Sequence, residues 1–179
     1  VNKNEGWIRD RQKSFQPKSV IKSGCLFPLY GENKTIRIIP HTKRTTTIAE
    51  DGEIISIETA RQDVIQNLKR WVIDRAKEKI TPLAYEKARQ INKTISKIDL
   101  RDTSSRWGSC SSDGRVMLSW RLIMAPDYVL DYVVGHEVAH LAYMNHSQDF
   151  WNLCYTLSDN PDEGRQWLKN HGNTLLSFF

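Results

Sequence analysis

Cysteine is scarce in this 179-residue sequence. Cys25, Cys110 and Cys154 are odd in number and far apart, with no Cys-x-x-Cys pair among them, which excludes a disulfide framework and a thiolate metal knuckle. A reducing, cytoplasmic setting is expected. Long apolar runs are also missing: none approaches the roughly 18–20 residues that cross a bilayer. The opening Val-Asn-Lys-Asn-Glu-Gly lacks the apolar centre of a secretory leader. No membrane partner is expected, and because the chain opens on Val1 rather than Met, a trimmed piece of a longer protein is. There is no internal repeat or low-complexity stretch. The length suits one compact unit with its own core.

The net charge of +5 hides a segregation, since residues 1–60 carry an excess of +3, residues 61–101 of +6 and residues 102–179 of −4. In the basic middle segment, acids recur among the lysines and arginines at helical spacing. This reads first as a solvated helix face and only weakly as a nucleic-acid contact.

Residues 20–58 are rich in β-branched residues interrupted by Gly31-Glu-Asn and Asp51-Gly52, the pattern of short hairpin strands. From residue 61 the period changes. Val64, Ile65, Leu68, Trp71, Val72, Ala76 and Ile80 mark an amphipathic helix, Thr81-Pro82 is expected to end it, and a second helix is expected from about Leu83 to Ile91. Lys97–Arg101 and Arg115–Trp120 alternate as strands on either side of Arg106–Cys110. After Pro126, the residues Val129, Leu130, Val133, Val134, Val138 and Leu141 line one face of a helix about four turns long. Ser147 is positioned to cap a further helix, and Pro161 to start a last one. The chain thus divides into a β-rich region, 1–58, and a helical region, 59–179, expected to form one compact unit.

The four-turn helix carries His136-Glu-Val-Ala-His140. Positions four apart share a helix face, so two imidazoles there can reach one tetrahedral ion, while Glu137, one step round, can take a proton from a water on that ion. With 5 histidines in the chain, chance places such a pentad about once in 150 sequences of this length. A third ligand is needed. Were the helix to continue, six residues beyond His140 would rise roughly 9 Å and carry His146 away. A left-handed reversal at Asn145 would instead return it. His146 is the candidate third ligand, and Glu163, on the later Pro161-Asp-Glu-Gly segment, is its rival. Three nitrogens favour Zn²⁺. The His-x3-His-x5-His spacing equals that of the metzincin proteases, with Tyr143 where they carry glycine.

A second signature, Arg106-Trp-Gly-Ser-Cys-Ser-Ser112 followed by Asp113-Gly-Arg-Val-Met-Leu-Ser-Trp120, reads alone as a hairpin with Trp107 in the core. Together with Val133–Leu141 and Asn145-His-Ser-Gln-Asp-Phe-Trp151, it resembles the YgjP-like family of zinc metallopeptidases, relatives of SprT-type and other compact zincins. The resemblance is dense from Arg101 to Trp151 and fainter at Gly24–Gly31 and Trp167–Gly172. It implies an α+β, zincin-like core with an active-site helix, a small antiparallel sheet region and several packed helices. In it, His136, His140 and His146 would bind zinc and Glu137 would be the catalytic base acting on a protein or peptide. The family carries further strand sequence before Trp7-Ile8-Arg9, so the resemblance also implies a missing start. By analogy with zincins, Val116–Trp120 is expected to align the substrate, and Arg106, ahead of Tyr143 and Tyr155, to face the oxyanion. Two other readings stay open: a zinc hydrolase of a nucleotide phosphoanhydride, and a nucleic-acid-associated module with structural zinc.

Overall fold

The structure, a computed structural model, describes residues 19–42, 45–60 and 63–179. Trp7-Ile8-Arg9 and the rest of residues 1–18 lie outside the described residues. Strands β1 (Leu26–Leu29) and β2 (Glu32–Pro40) form an antiparallel hairpin. They are joined by Tyr30-Gly31, both at positive φ (54° and 79°), as the tight primed turn of a two-residue hairpin requires. Strands β3 (Thr47–Asp51) and β4 (Ile54–Thr59) form the second expected hairpin, across Gly52. The sheet order is β1-β2-β4-β3, with β2 and β4 parallel. Alternation in sequence shows which side chains face inward, here Phe27, Leu29, Ile36, Ile55 and Ile57, all fully buried. It does not name a strand's neighbour, and the parallel pair was not foreseen.

Helix α1 (Val64–Gln90) corrects the sequence reading, because it runs straight through Pro82. Its buried stripe, Leu68, Val72, Ala76, Ile80, Ala84 and Ala88, advances by four residues throughout and does not pause at the proline. Pro82 and Glu78, whose carbonyl loses its donor there, are both exposed, so that carbonyl is open to solvent while the packed face stays continuous. The helix ends where expected. Asn92 takes the left-handed conformation (φ 54°), with Lys93 N–H donating to Ala88 O at 2.9 Å and Asn92 N–H to Arg89 O at 3.0 Å, a Schellman cap.

The second sheet holds β5 (Lys97–Arg101), β6 (Gly108–Cys110) and β7 (Arg115–Ser119), in the order β5-β7-β6. β5 is parallel to β7, and β6 antiparallel to it. The Arg106–Cys110 segment therefore contributes its own strand, as the hairpin reading held. β7 is the central strand and cannot be the substrate-aligning edge. Of the two free edges among the described residues, those of β5 and β6, the one beside Glu137 belongs to β6.

A buried 3-10 turn, Trp120–Met124, leads from β7 into α2 (Asp127–Ala139). Helices α3 (Gln148–Leu157) and α4 (Pro161–Leu176) complete an α+β fold with two small mixed sheets. Helix α2 packs against α1, α3, α4 and β6, and is buried on most of its circumference, as an apolar helix must be. The tip of the first hairpin meets its start: Tyr30 N–H donates to Ile123 O at 2.8 Å and Gly31 N–H to Met124 O at 3.2 Å. A Cβ on Gly31 would lie 2.7 Å from Pro126 Cα. Among the described residues no helix is long and apolar enough to cross a membrane.

Candidate metal centre

His136 and Glu137 lie in the last turn of α2 and His140 caps it. The chain then leaves the helix by tight bonds, Leu141 N–H to Val138 O at 2.9 Å and Tyr143 N–H to Ala139 O at 3.0 Å. The reversal that returns His146 is therefore spread over residues 140–146. Asn145 is not among the residues at positive φ. It turns the chain with its side chain instead, Oδ1 accepting Ser147 N–H at 3.3 Å, the Asx alternative to the left-handed conformation expected of it. Ser147 then caps α3, its hydroxyl accepting Phe150 N–H, as the sequence indicated.

The three imidazoles converge. Their candidate ligand atoms lie within 4.8 Å of one another, and the Nε2 atoms of His136 and His146 are 3.2 Å apart. Nitrogens bound tetrahedrally at about 2.05 Å from one zinc ion are separated by roughly 3.3 Å, so this spacing fits a shared ion. The tautomers fit as well. His140 Nδ1 lies 3.0 Å from the Tyr143 carbonyl, which can only accept, so Nδ1 carries the proton and Nε2 keeps a lone pair for a metal. Burial first, then the His140 and His146 rings, hold His136 down at about 4, so it is neutral and able to coordinate at physiological pH. Its Nδ1 is buried with no hydrogen-bond partner among the described residues.

Phe150, fully buried at the start of α3, is the shared floor: its ring centroid is 4.5 Å from His140, 4.7 Å from His146 and 4.9 Å from His136. Trp151 stacks on His146 at 5.7 Å. One turn before His136, Asp131 pairs with the buried Lys87 of α1 at 2.6 Å, and Lys87 also donates to the Leu157 carbonyl at the end of α3. Lys87 thus departs from the solvated basic face read for residues 61–101, because it neutralises a carboxylate and caps a helix end inside the molecule.

Glu137 is 6 % exposed. Burial pushes its carboxyl up to about 7, against the opposing pull of the Arg106 guanidinium. β6 lies directly against it, for a Cβ on Gly108 would sit 2.5 Å from both Glu137 Cγ and Oε1. Arg106 itself is exposed, just before β6. Of the other residues considered for the oxyanion, Tyr143 offers its carbonyl to His140 while its side chain is exposed, and the Tyr155 hydroxyl donates to Asp162 at 2.8 Å. Glu163 is exposed in the first turn of α4 and is not part of the metal-ligating group found among the described residues. Cys110 and Cys154 are thiols that burial, with the Glu137 charge, pushes up to about 11 and about 12, too high for nucleophiles.

Sequence reasoning did not single out Gly108, Tyr132, Phe150 or Lys87 for the site. Phe150 and Tyr132 also belong to the buried core, and nothing in their sequence setting marks them for the site.

Three imidazoles gathered over an aromatic floor beside a sequestered carboxyl, on an α+β frame, form a group that could hold a metal ion. The profile of the YgjP-like metallopeptidase domain matches residues 1–171, and the chain belongs to that family. No curated protein and no solved structure matches it.

Proposed function

We propose that the protein is a zinc-dependent peptidase in which His136, His140 and His146 hold the ion and Glu137 is the general base. The observation that carries this is the convergence of the three rings next to a buried carboxyl. A zinc ion bound there supplies Lewis acidity, making water nucleophilic near neutral pH and polarising a carbonyl. Glu137 takes the proton of the attacking water at its carboxylate and returns it to the departing amine nitrogen. Its raised affinity for protons suits both transfers. Arg106, close enough to act on the Glu137 charge, offsets charge developing on the carbonyl oxygen. The free edge of β6 binds substrate as an added strand. Three histidines, one ligand short of a closed structural site, favour catalysis over a scaffolding role.

The test is denatured casein and a set of nucleoside triphosphates offered side by side to zinc-loaded protein. Casein is expected to be cleaved. Glu137→Gln is expected to keep one equivalent of zinc and lose about 10²–10⁴-fold in rate. Casein cleavage at the parental rate by Glu137→Gln, or hydrolysis of nucleotides in place of casein, overturns the reading.

A further inference from the structure

Beside the catalytic groups lies a cavity of about 190 Å³ between β6, α2 and α4. Trp107, Tyr132, Val133 and Leu168 wall it, and His136 and Glu137 line it as well. An apolar cavity of roughly 150 Å³ admits benzene, so this one has room for a leucine, methionine or phenylalanine side chain. Its width is fixed from behind by two glycines of α4. A Cβ on Gly172 would come within 2.9 Å of Trp107 Cζ2, and one on Gly164 within 2.7 Å of Tyr132 Cβ. Larger residues at either position would drive an aromatic wall forward.

The register of β6 indicates what enters. Ser119 N–H donates to Trp107 O at 2.8 Å and Ser111 N–H to Arg115 O at 3.0 Å. Trp107, Ser109 and Ser111 therefore direct their backbone groups to β7, and the alternate residues Gly108 and Cys110 turn theirs to the free edge. Residues paired across strands place their side chains on the same face of a sheet. At Gly108 that face is the one toward Glu137, where its missing Cβ would point. A substrate residue paired with Gly108 thus sends its side chain toward Glu137, one of the residues that line the cavity.

We propose that this cavity is the selectivity pocket of the enzyme and takes a medium-sized apolar side chain from the substrate residue paired with Gly108, flanking the bond that is cleaved. The proposal rests on the peptidase reading above, and its test separates the two. Zinc-loaded protein is titrated calorimetrically with acetohydroxamate, which engages the metal end alone, and with hydroxamates bearing isobutyl and benzyl groups. The larger pair is expected to bind about 10-fold or more tightly than acetohydroxamate. In Leu168→Trp, which fills the pocket from its half-exposed rim, the ratio falls to near one. In Leu168→Ala the benzyl compound gains on the isobutyl one, so the test does not depend on a single variant folding. Mass-spectrometric mapping of casein cleavage is expected to find leucine, methionine or phenylalanine at one fixed position beside the cut. Equal affinities across the series, binding of none of them, or cuts with no apolar preference overturn the pocket. Discrimination among hydroxamates with no protein cleaved leaves the pocket standing and overturns the peptidase reading.

Discussion

Gly108→Ala adds one methyl group and leaves every ionisable side chain in place. Gly108 is not among the glycines at positive φ, so its backbone accommodates alanine without strain and the whole effect is steric. The new Cβ would sit 2.5 Å from Glu137 Cγ and Oε1 and 2.7 Å from Cδ, where ordinary contacts begin at 3.4 Å. Either the carboxyl or β6 must therefore yield by about 0.9 Å, the difference between 2.5 and 3.4 Å. A shift of about 1 Å in a reacting group can cost on the order of 10²-fold in rate. The histidines face the Phe150 side of α2, so metal binding is expected to survive. Casein hydrolysis, zinc content by mass spectrometry and a thermal melt are measured on the same preparations. The expected result is one equivalent of zinc, a melt close to the parent and a rate down about 10²-fold. A rate within two-fold of the parent at full zinc content, or a loss of rate that only tracks a loss of zinc, refutes the claim that β6 positions the base.

His146→Ala is expected to abolish retention of zinc through gel filtration, whereas Glu163→Ala keeps it; the reverse result moves the third ligand to α4. Gly135→Ala brings a Cβ onto the Ser158 hydroxyl and is expected to destabilise the fold by about 1–3 kcal/mol, as overpacking does. Because that hydroxyl is buried without a partner among the described residues, Ser158→Ala alone should cost little, and the double variant should recover most of the loss in urea unfolding. Burial acts to raise the Asp102 carboxyl, but Lys69 and the Arg121 guanidinium outweigh it and hold it below the usual carboxylate range. A depressed pKa of this kind contributes stability that is present above the unfolded pKa of about 3.9 and is lost as pH falls through the lower folded value. Asp102→Asn is therefore expected to lower the unfolding free energy at pH 7 by about 1 kcal/mol, after allowing for the exposure of Asp102, with the gap closing below pH 4. A gap independent of pH refutes the assignment.

Much of this molecule can be read along the chain wherever the determinant is local. Asp51-Gly52, Ser147 and Pro161 mark their turns and caps, because each acts on its immediate neighbours. The proposed metal ligands of α2, His136 and His140, are legible for the same reason, as one helix turn sets their spacing. His146 was reached by elimination, since the helix had to stop, but the means of stopping it was misassigned: Asn145 works through its amide oxygen and not through its backbone. Pro82 misled because its local penalty is smaller than the packing gained by an unbroken stripe from Leu68 to Ala88. The parallel neighbours of β4 and β7, the edge position of β6, and the glycines that admit Glu137, Trp107 and Tyr132 depend on residues distant in sequence, and no periodicity records them.

The Tyr30-Gly31 tip has a consequence beyond its own sheet. Hairpin tips are where proteins usually accept an inserted tag or a splice. This one is jammed against Pro126, the cap residue of the helix that ends at His140, and both of its amides are tied to carbonyls just upstream of that cap. An epitope inserted there would lift the cap, and the disturbance would travel along the 13-residue helix to His136 and His140. The most loop-like spot on the first sheet is thus a poor graft site, and a natural place to install an engineered off-switch.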